Sequence, residues 1–129
     1  MKKIALAAMA VLALSLPANG LDIYNDNGGR VFSYAIRFEY APKPIRILGR
    51  CMSACTLALA YPSTCVGPRA SLVFHAPYGA GAHNGVAKKW MMGRYPAPIR
   101  AWIAAHGGLT SRPITLRGAA LRKIVRSCK

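Results

Sequence analysis

Negative charge is almost missing from this chain. Asp22, Asp26 and Glu39 stand against 18 Lys and Arg in 129 residues, and no carboxylate side chain follows Glu39. A hydrophobic run long enough to span a membrane is missing too. The apolar stretch from Ile4 to Leu16 falls short of the roughly 20 residues a transmembrane helix needs, and Asp22, Asn25, Asp26 and Asn27 follow it closely. This disfavours a permanent membrane anchor. Cysteines are few, and Cys51-x3-Cys55 with the separate Cys65 and Cys128 lacks the paired ligand spacing of a structural zinc site, so no metal site is predicted. There is no internal repeat, no room for a second domain, and no sign of a nucleotide, haem or other cofactor.

What the start does hold is a leader pattern. Lys2 and Lys3, the apolar stretch, and the small residues of Pro17-Ala18-Asn19-Gly20 have the layout of a signal peptide, residues 1–20, cleaved after Gly20. The remainder, residues 21–129, is expected to form one small domain in a bacterial periplasm or the outside medium, where disulfides persist. All four cysteines fall in it, an even number, and Cys51, Cys55, Cys65 and Cys128 are read as disulfide candidates. Three pairings are open. A bridge using Cys128 is favoured over Cys51 with Cys65, because a helix from Ser53 to Ala60 would carry the chain about 12 Å away at about 1.5 Å per residue.

Without Lys2 and Lys3 the net charge is +13. That imbalance predicts attraction to anionic surfaces such as phospholipid, lipopolysaccharide or nucleic acid; keeping a small apolar domain soluble explains it equally well. Lys88-Lys89-Trp90 and Arg122-Lys123-Ile124-Val125-Arg126 mix cations with apolar residues. Membrane-surface or nucleic-acid contacts do this, and so do solvated helix faces with apolar anchors. His83 and His106 are read as surface residues.

Hydrophobic period organises the rest. Leu21 to Asn25 alternates like a strand, Asp26-Asn27-Gly28-Gly29 is a turn, and Val31, Tyr34, Ala35 and Phe38 mark a helix ending before Pro42. Ile45 to Leu48 reads as a second strand, and the helical segment Ser53 to Ala60 follows with Ser53 as its cap. Cys65-Val66 and Ser71 to Phe74 read as extended. Strand and helix thus alternate, which predicts a parallel sheet with helices over it. Ala76 to Val86 is a loop candidate, and helices are expected around Ile99, Trp102 and Ile103 and around Leu121, Ile124 and Val125.

Parallel strands share one edge at their C-terminal ends, the usual place for a reacting group. Gly28-Gly29, Ser53 and His75 all fall there. Serine needs a neighbouring base to become a nucleophile, and histidine suits that role. The N–H groups of Gly29 and Ala54 could hold an oxyanion. Ser53 as an ordinary helix cap and His75 as an ordinary strand-end residue are the plainer explanation.

Three blocks tip that balance. Gly28-Gly29-Arg30-Val31, then Gly49-Arg50-Cys51-Met52-Ser53-Ala54, then Cys65-Val66-Gly67-Pro68-Arg69-Ala70-Ser71-Leu72-Val73-Phe74-His75-Ala76-Pro77 resemble, in order, the Clp protease proteolytic subunit and its crotonase-fold relatives. Ser53-Ala54-Cys55 with Phe74-His75 is most similar to a branch of small exported Clp-protease-like proteins. The resemblance spans residues 21–78, and the tail from Tyr95 to Cys128 only loosely. It implies an α/β fold, a reduced crotonase (Clp-protease-like) fold whose short, mostly parallel sheet has flanking helices. It also implies Ser53 as nucleophile, His75 as general base, Gly29 and Ala54 as the oxyanion hole, and a peptide or acyl substrate.

Two departures qualify the implied activity. The family's triad is completed by an aspartate after the histidine, and this chain has none; a triad enzyme without it can lose about 10⁴ in kcat. A backbone carbonyl, Asn84 or Thr115 would have to orient His75 instead. The strands that normally precede Gly28-Gly29 are also lacking, which leaves the first sheet edge exposed for a partner or a second copy. Export would separate the protein from any ATP-driven unfoldase. Two readings follow: an exported serine hydrolase or peptidase with a Ser-His pair, or a non-catalytic cationic protein that binds an anionic membrane, a lipopolysaccharide surface or another partner.

Overall fold

The computed structural model describes residues 19–78 and 85–129. The leader expected over residues 1–20 lies outside that range except for its last two residues, and His83 and Asn84 lie outside it as well. Strand β1 (Leu21–Asp26) leads into helix α1 (Val31–Tyr40), and β2 (Ile45–Met52) into a 3₁₀ helix (Ser53–Ala60). Then come β3 (Cys65–Val66), β4 (Ser71–Phe74), α2 (Val86–Arg94), α3 (Ala97–Ala105), β5 (Ile114–Arg117) and α4 (Gly118–Ile124).

The local reasons are visible in burial. Along β2, Ile45, Ile47 and Cys51 are fully buried while Arg46 and Leu48 are only half-buried and Arg50 is exposed, so the period of two sends one face inward. In α1, Val31 and Phe38 sit two turns apart on the buried face, with Tyr34 between them. The helix stops at Ala41, whose extended backbone suits a residue before a proline.

The sheet runs β1-β2-β4-β5, with β3 also pairing β2. β1, β3 and β4 are parallel to β2, whereas β5 runs antiparallel to β4. This is the mixed α/β architecture with a short, mostly parallel sheet that strand-helix alternation predicts. β1 forms one edge, as expected. The core joins Phe38, Ile45, Ile47, Leu72 and Phe74 to Met91, Tyr95, Ile99 and Ile103, so α2 and α3 close the same hydrophobic cluster that the sheet opens. No helix among the described residues is long and apolar enough to cross a membrane.

Several expectations need correction. The segment Ser53–Ala60 is a 3₁₀ helix, about 16 Å long at about 2.0 Å per residue. Seven of its eight residues are buried, from Ser53 to Leu59, and small side chains let so thin a helix run through the interior. Ser53 caps nothing: Met52 holds the cap position and makes no side-chain cap hydrogen bond. The described part of the loop expected from Ala76 ends at Gly85, because Val86 already opens α2.

All four cysteines are oxidised, as Cys51–Cys55 and Cys65–Cys128. Cys128 does provide a bridge, but to Cys65. Cys51 pairs with Cys55 because the chain doubles back after β2, bringing their Cα atoms to 5.3 Å.

Candidate active site at the sheet edge

Three parallel strand ends meet here. Met52 of β2 is paired with Val73 of β4, and Asp26 of β1 with Cys51. Ser53 follows the first pair on one strand, and His75 lies two residues beyond it on the other. The Gly28-Gly29 turn leaves β1 beside them: a Cβ built on Gly28 would lie 3.0 Å from the Ser53 Cβ, 3.1 Å from the Ala54 nitrogen and 2.5 Å from the Met52 carbonyl oxygen. Only glycine lets the turn come so close, and its φ of +81° excludes most other residues independently.

Ser53 has the feature that separates it from an ordinary core serine. Its φ is +57°, the one positive value at a non-glycine among the described residues. A left-handed conformation costs an L-residue about 1–2 kcal/mol and persists where surroundings enforce it, which functional sites often do. Those surroundings are identifiable. The Cys51–Cys55 disulfide brackets the residue. The Thr56 hydroxyl donates to the Ser53 carbonyl at 2.6 Å, and Thr56 Oγ1 lies 2.6 Å from the Tyr95 hydroxyl. The single Thr56 proton is already committed, so Tyr95 is the donor in the second bond. Burial raises the Tyr95 hydroxyl well above its ordinary pKa and outweighs the opposing effect of its bond to Thr56, which keeps it a donor. A buried chain thus runs from Tyr95 through Thr56 to the backbone of Ser53.

His75 is 4% exposed and Ser53 8%. The His75 Nδ1 lies 2.8 Å from the Ala76 carbonyl oxygen. A carbonyl can only accept, so this bond puts the proton on Nδ1 and leaves Nε2 free to act as a base. The Ala76 N–H donates to the Thr110 carbonyl at 2.7 Å, which fixes the same residue from its other side. Tyr78 stacks on the imidazole with centroids 5.4 Å apart. A backbone carbonyl, one of the three orienting groups expected for His75, meets it; Thr115 is paired with Val73 in the sheet, and Asn84 lies outside the described residues. No hydrogen bond joins the Ser53 hydroxyl to His75 among the described residues, so the two share an edge without closing into a pair.

The three carboxylates are all engaged elsewhere. Asp22 pairs with Arg46, and Glu39 accepts from the Tyr61 hydroxyl at 2.7 Å. Asp26 accepts from the Gly28 N–H at 2.8 Å, the Tyr34 hydroxyl at 2.6 Å and Arg37 at 3.0 Å. Burial pushes the Asp26 carboxyl upward, but these donors outweigh it and hold it below its ordinary value. Asp26 therefore pins the glycine turn, with no hydrogen bond to Ser53 or His75 among the described residues.

Sequence reasoning places the Gly28-Gly29 turn at this edge but gives roles to Ser53, His75, Gly29 and Ala54 and none to Gly28, which makes the closer approach to Ser53; a Cβ at Gly29 would meet the Tyr34 ring instead. It also passes over Thr56, Tyr95 and Asp26. Asp-Asn-Gly is a legible turn signature, whereas nothing in the spacing of Thr56 and Tyr95 announces their bond. No group of acidic, histidine and cysteine side chains that could hold a metal occurs among the described residues.

No protein-family model matches the chain, and no curated protein matches it. Among solved structures it is similar to a mutant of ClpP1 from Listeria monocytogenes, at 17% identity, covering 85% of this chain and 73% of that one, with a TM-score of 0.46.

Proposed function

We propose that this chain is an exported, slow serine hydrolase acting on an acyl or peptide bond. The reading rests above all on the positive φ of Ser53, a strained serine at a parallel strand end beside a glycine turn. In the mechanism Ser53 Oγ attacks the substrate carbonyl carbon while its proton passes to His75 Nε2. The carbonyl oxygen gains the negative charge, and the N–H groups of Gly29 and Ala54 receive it. As the tetrahedral intermediate collapses, His75 returns the proton to the departing amine or alcohol, leaving an acyl-serine. Water then repeats the cycle, again giving its proton to His75, and releases the acid.

The Ala76 carbonyl orients the imidazole but carries no full charge to stabilise the imidazolium. The expected enzyme is therefore weak, with a loss of up to about 10⁴ in kcat relative to a carboxylate-assisted triad. Export of residues 21–129, with residues 1–20 as the leader, fits the two disulfides and implies activity without an ATP-driven unfoldase.

The test is covalent labelling of the oxidised protein by a fluorophosphonate. Labelling at Ser53 that is lost in Ser53→Ala and strongly slowed in His75→Ala supports the proposal. No labelling of the wild type under any condition sinks it, and favours instead the non-catalytic cationic protein that the missing carboxylate suggests. For that rival, binding to anionic vesicles or lipopolysaccharide should weaken steeply with added salt.

A further inference from the structure

We infer a ligand site remote from the sheet edge: the groove between the end of the 3₁₀ helix, the α2–α3 junction and the end of α4 binds an amphipathic carboxylate, an apolar chain ending in one negative head. The groove has a volume of about 450 Å³, within the range of small-molecule sites. Leu59, Pro62, Ile99, Ile124 and Val125 supply apolar walls. The buried polar groups at its base are already satisfied: the Thr64 hydroxyl donates to the Ala58 carbonyl, and Tyr95 turns its hydroxyl to Thr56. The interior therefore favours hydrocarbon over a polar body.

The head is chosen by charge. Arg94 and Arg126 line the groove, and no carboxylate does. Neither arginine forms an ion pair among the described residues. The Arg94 guanidinium lies 5.6 Å from the Trp90 ring centroid. Arg126 is held by its backbone, since its carbonyl accepts from the Val66 N–H at 2.9 Å and the Cys65–Cys128 bridge closes just beyond it. Arg126 also lines a second cavity with Lys129 and with Arg46, whose charge is taken up by Asp22. Glu39 accepts from the Tyr61 hydroxyl, on which the Arg94 guanidinium also acts. Guanidinium groups bind carboxylates through strong charge-assisted hydrogen bonds, and Arg94 and Arg126 are both exposed to an incoming head group.

Dodecanoate, dodecanol and dodecylammonium, each below its micelle concentration, provide the test by calorimetry and backbone amide shifts on the intact oxidised protein. Saturable one-to-one binding of dodecanoate is expected, with shifts confined to residues 59–64, 94–99 and 124–126. Dodecanol should bind at least about tenfold more weakly, and dodecylammonium not at all. Arg94→Gln and Arg126→Gln should each weaken dodecanoate by about tenfold, matching the value of a charged hydrogen bond, and Val125→Glu should abolish binding. An Arg69→Gln, Arg112→Gln double variant removes charge elsewhere and should change nothing. Equal binding of the three head groups, shifts at another surface, or indifference to both groove arginines would overturn the inference. None of these readouts depends on Ser53, so the site stands or falls apart from the hydrolase reading.

Discussion

At Ser53, conformation and chemistry make opposite demands on one residue. A glycine would adopt φ +57° without penalty, yet the proposed mechanism needs a hydroxyl at this position. Ser53→Gly should therefore be more stable than Ser53→Ala by about 1 kcal/mol, while both lose fluorophosphonate labelling. Chemical denaturation reads the first effect, and equal stability of the two variants would refute the strain argument. Gly28 and Gly93 offer a second contrast. A Cβ at Gly28 meets backbone at 2.5 Å with φ at +81°, whereas a Cβ at Gly93, inside α2, meets nothing within 4 Å. Gly28→Ala should lose roughly 1–3 kcal/mol together with labelling, and Gly93→Ala should gain about 0.5–1 kcal/mol.

The supporting chain can be tested at the same scale. Thr56→Val leaves the Tyr95 hydroxyl buried without an acceptor and the Ser53 carbonyl without that donor, so a loss of about 1–3 kcal/mol is expected. Tyr95→Phe should cost less, because Thr56 keeps its bond to Ser53. The double variant should cost less than the sum of the two, since each breaks a bond of the same network. Labelling should fall in Thr56→Val and be kept in Thr56→Ser, which retains the hydroxyl. The place of Ser53 and His75 just beyond neighbouring parallel strands is legible in the sequence, because the apolar runs before them announce those strands. The positive φ and the Tyr95 bond are not: the bond joins residues 39 apart, and the φ is held by the disulfide and the Thr56 bond that surround Ser53.

Among the elements, the two disulfides divide their labour. Cys51–Cys55 closes a loop of separation 4 and Cys65–Cys128 one of separation 63, so chain entropy assigns them about 2 and about 4 kcal/mol. Replacing Cys65 and Cys128 by serine should lower stability more. Replacing Cys51 and Cys55 should do more harm to labelling, since that bridge spans Ser53. Denaturation and labelling of the two double variants should thus rank them in opposite orders, and the same order in both would reject the division. β1, α1, β2, β3 and β4 are legible because their apolar period switches cleanly from two to that of a helix. α2 is not, since Met91 is its sole buried residue and one apolar anchor makes no stripe. β5 is hidden for a similar reason: only Leu116 of its four residues is buried, and it joins the sheet antiparallel through β4.

Over the whole molecule, charge is distributed so that acid acts on one region first. The three carboxylates all lie between Leu21 and Tyr40, in β1 and α1; Asp26 is engaged within that unit, while Asp22 ties it to Arg46 of β2 and Glu39 ties it to Tyr61. Everything after Glu39 remains cationic at any acid pH. Asp26 links the end of β1, the Gly28 turn and two residues of α1, and its folded pKa is lowered from 3.8. Its contribution is therefore fully present above about pH 4 and is lost as pH falls through the lower folded value. The β1–α1 unit should open in that window ahead of the remaining sheet, taking the Gly28-Gly29 turn with it. Hydrogen exchange followed as pH falls below about 4 should show protection lost first in β1 and α1 while β4 and α3 stay protected. Asp26→Asn should weaken that unit at neutral pH and flatten its response to acid, because the group that titrates is gone. Added salt should moderate the opening by screening repulsion among the cations, but it cannot restore the Asp26 bonds to Gly28, Tyr34 and Arg37. Loss of protection spread evenly over the molecule would show that repulsion, rather than Asp26, governs acid stability.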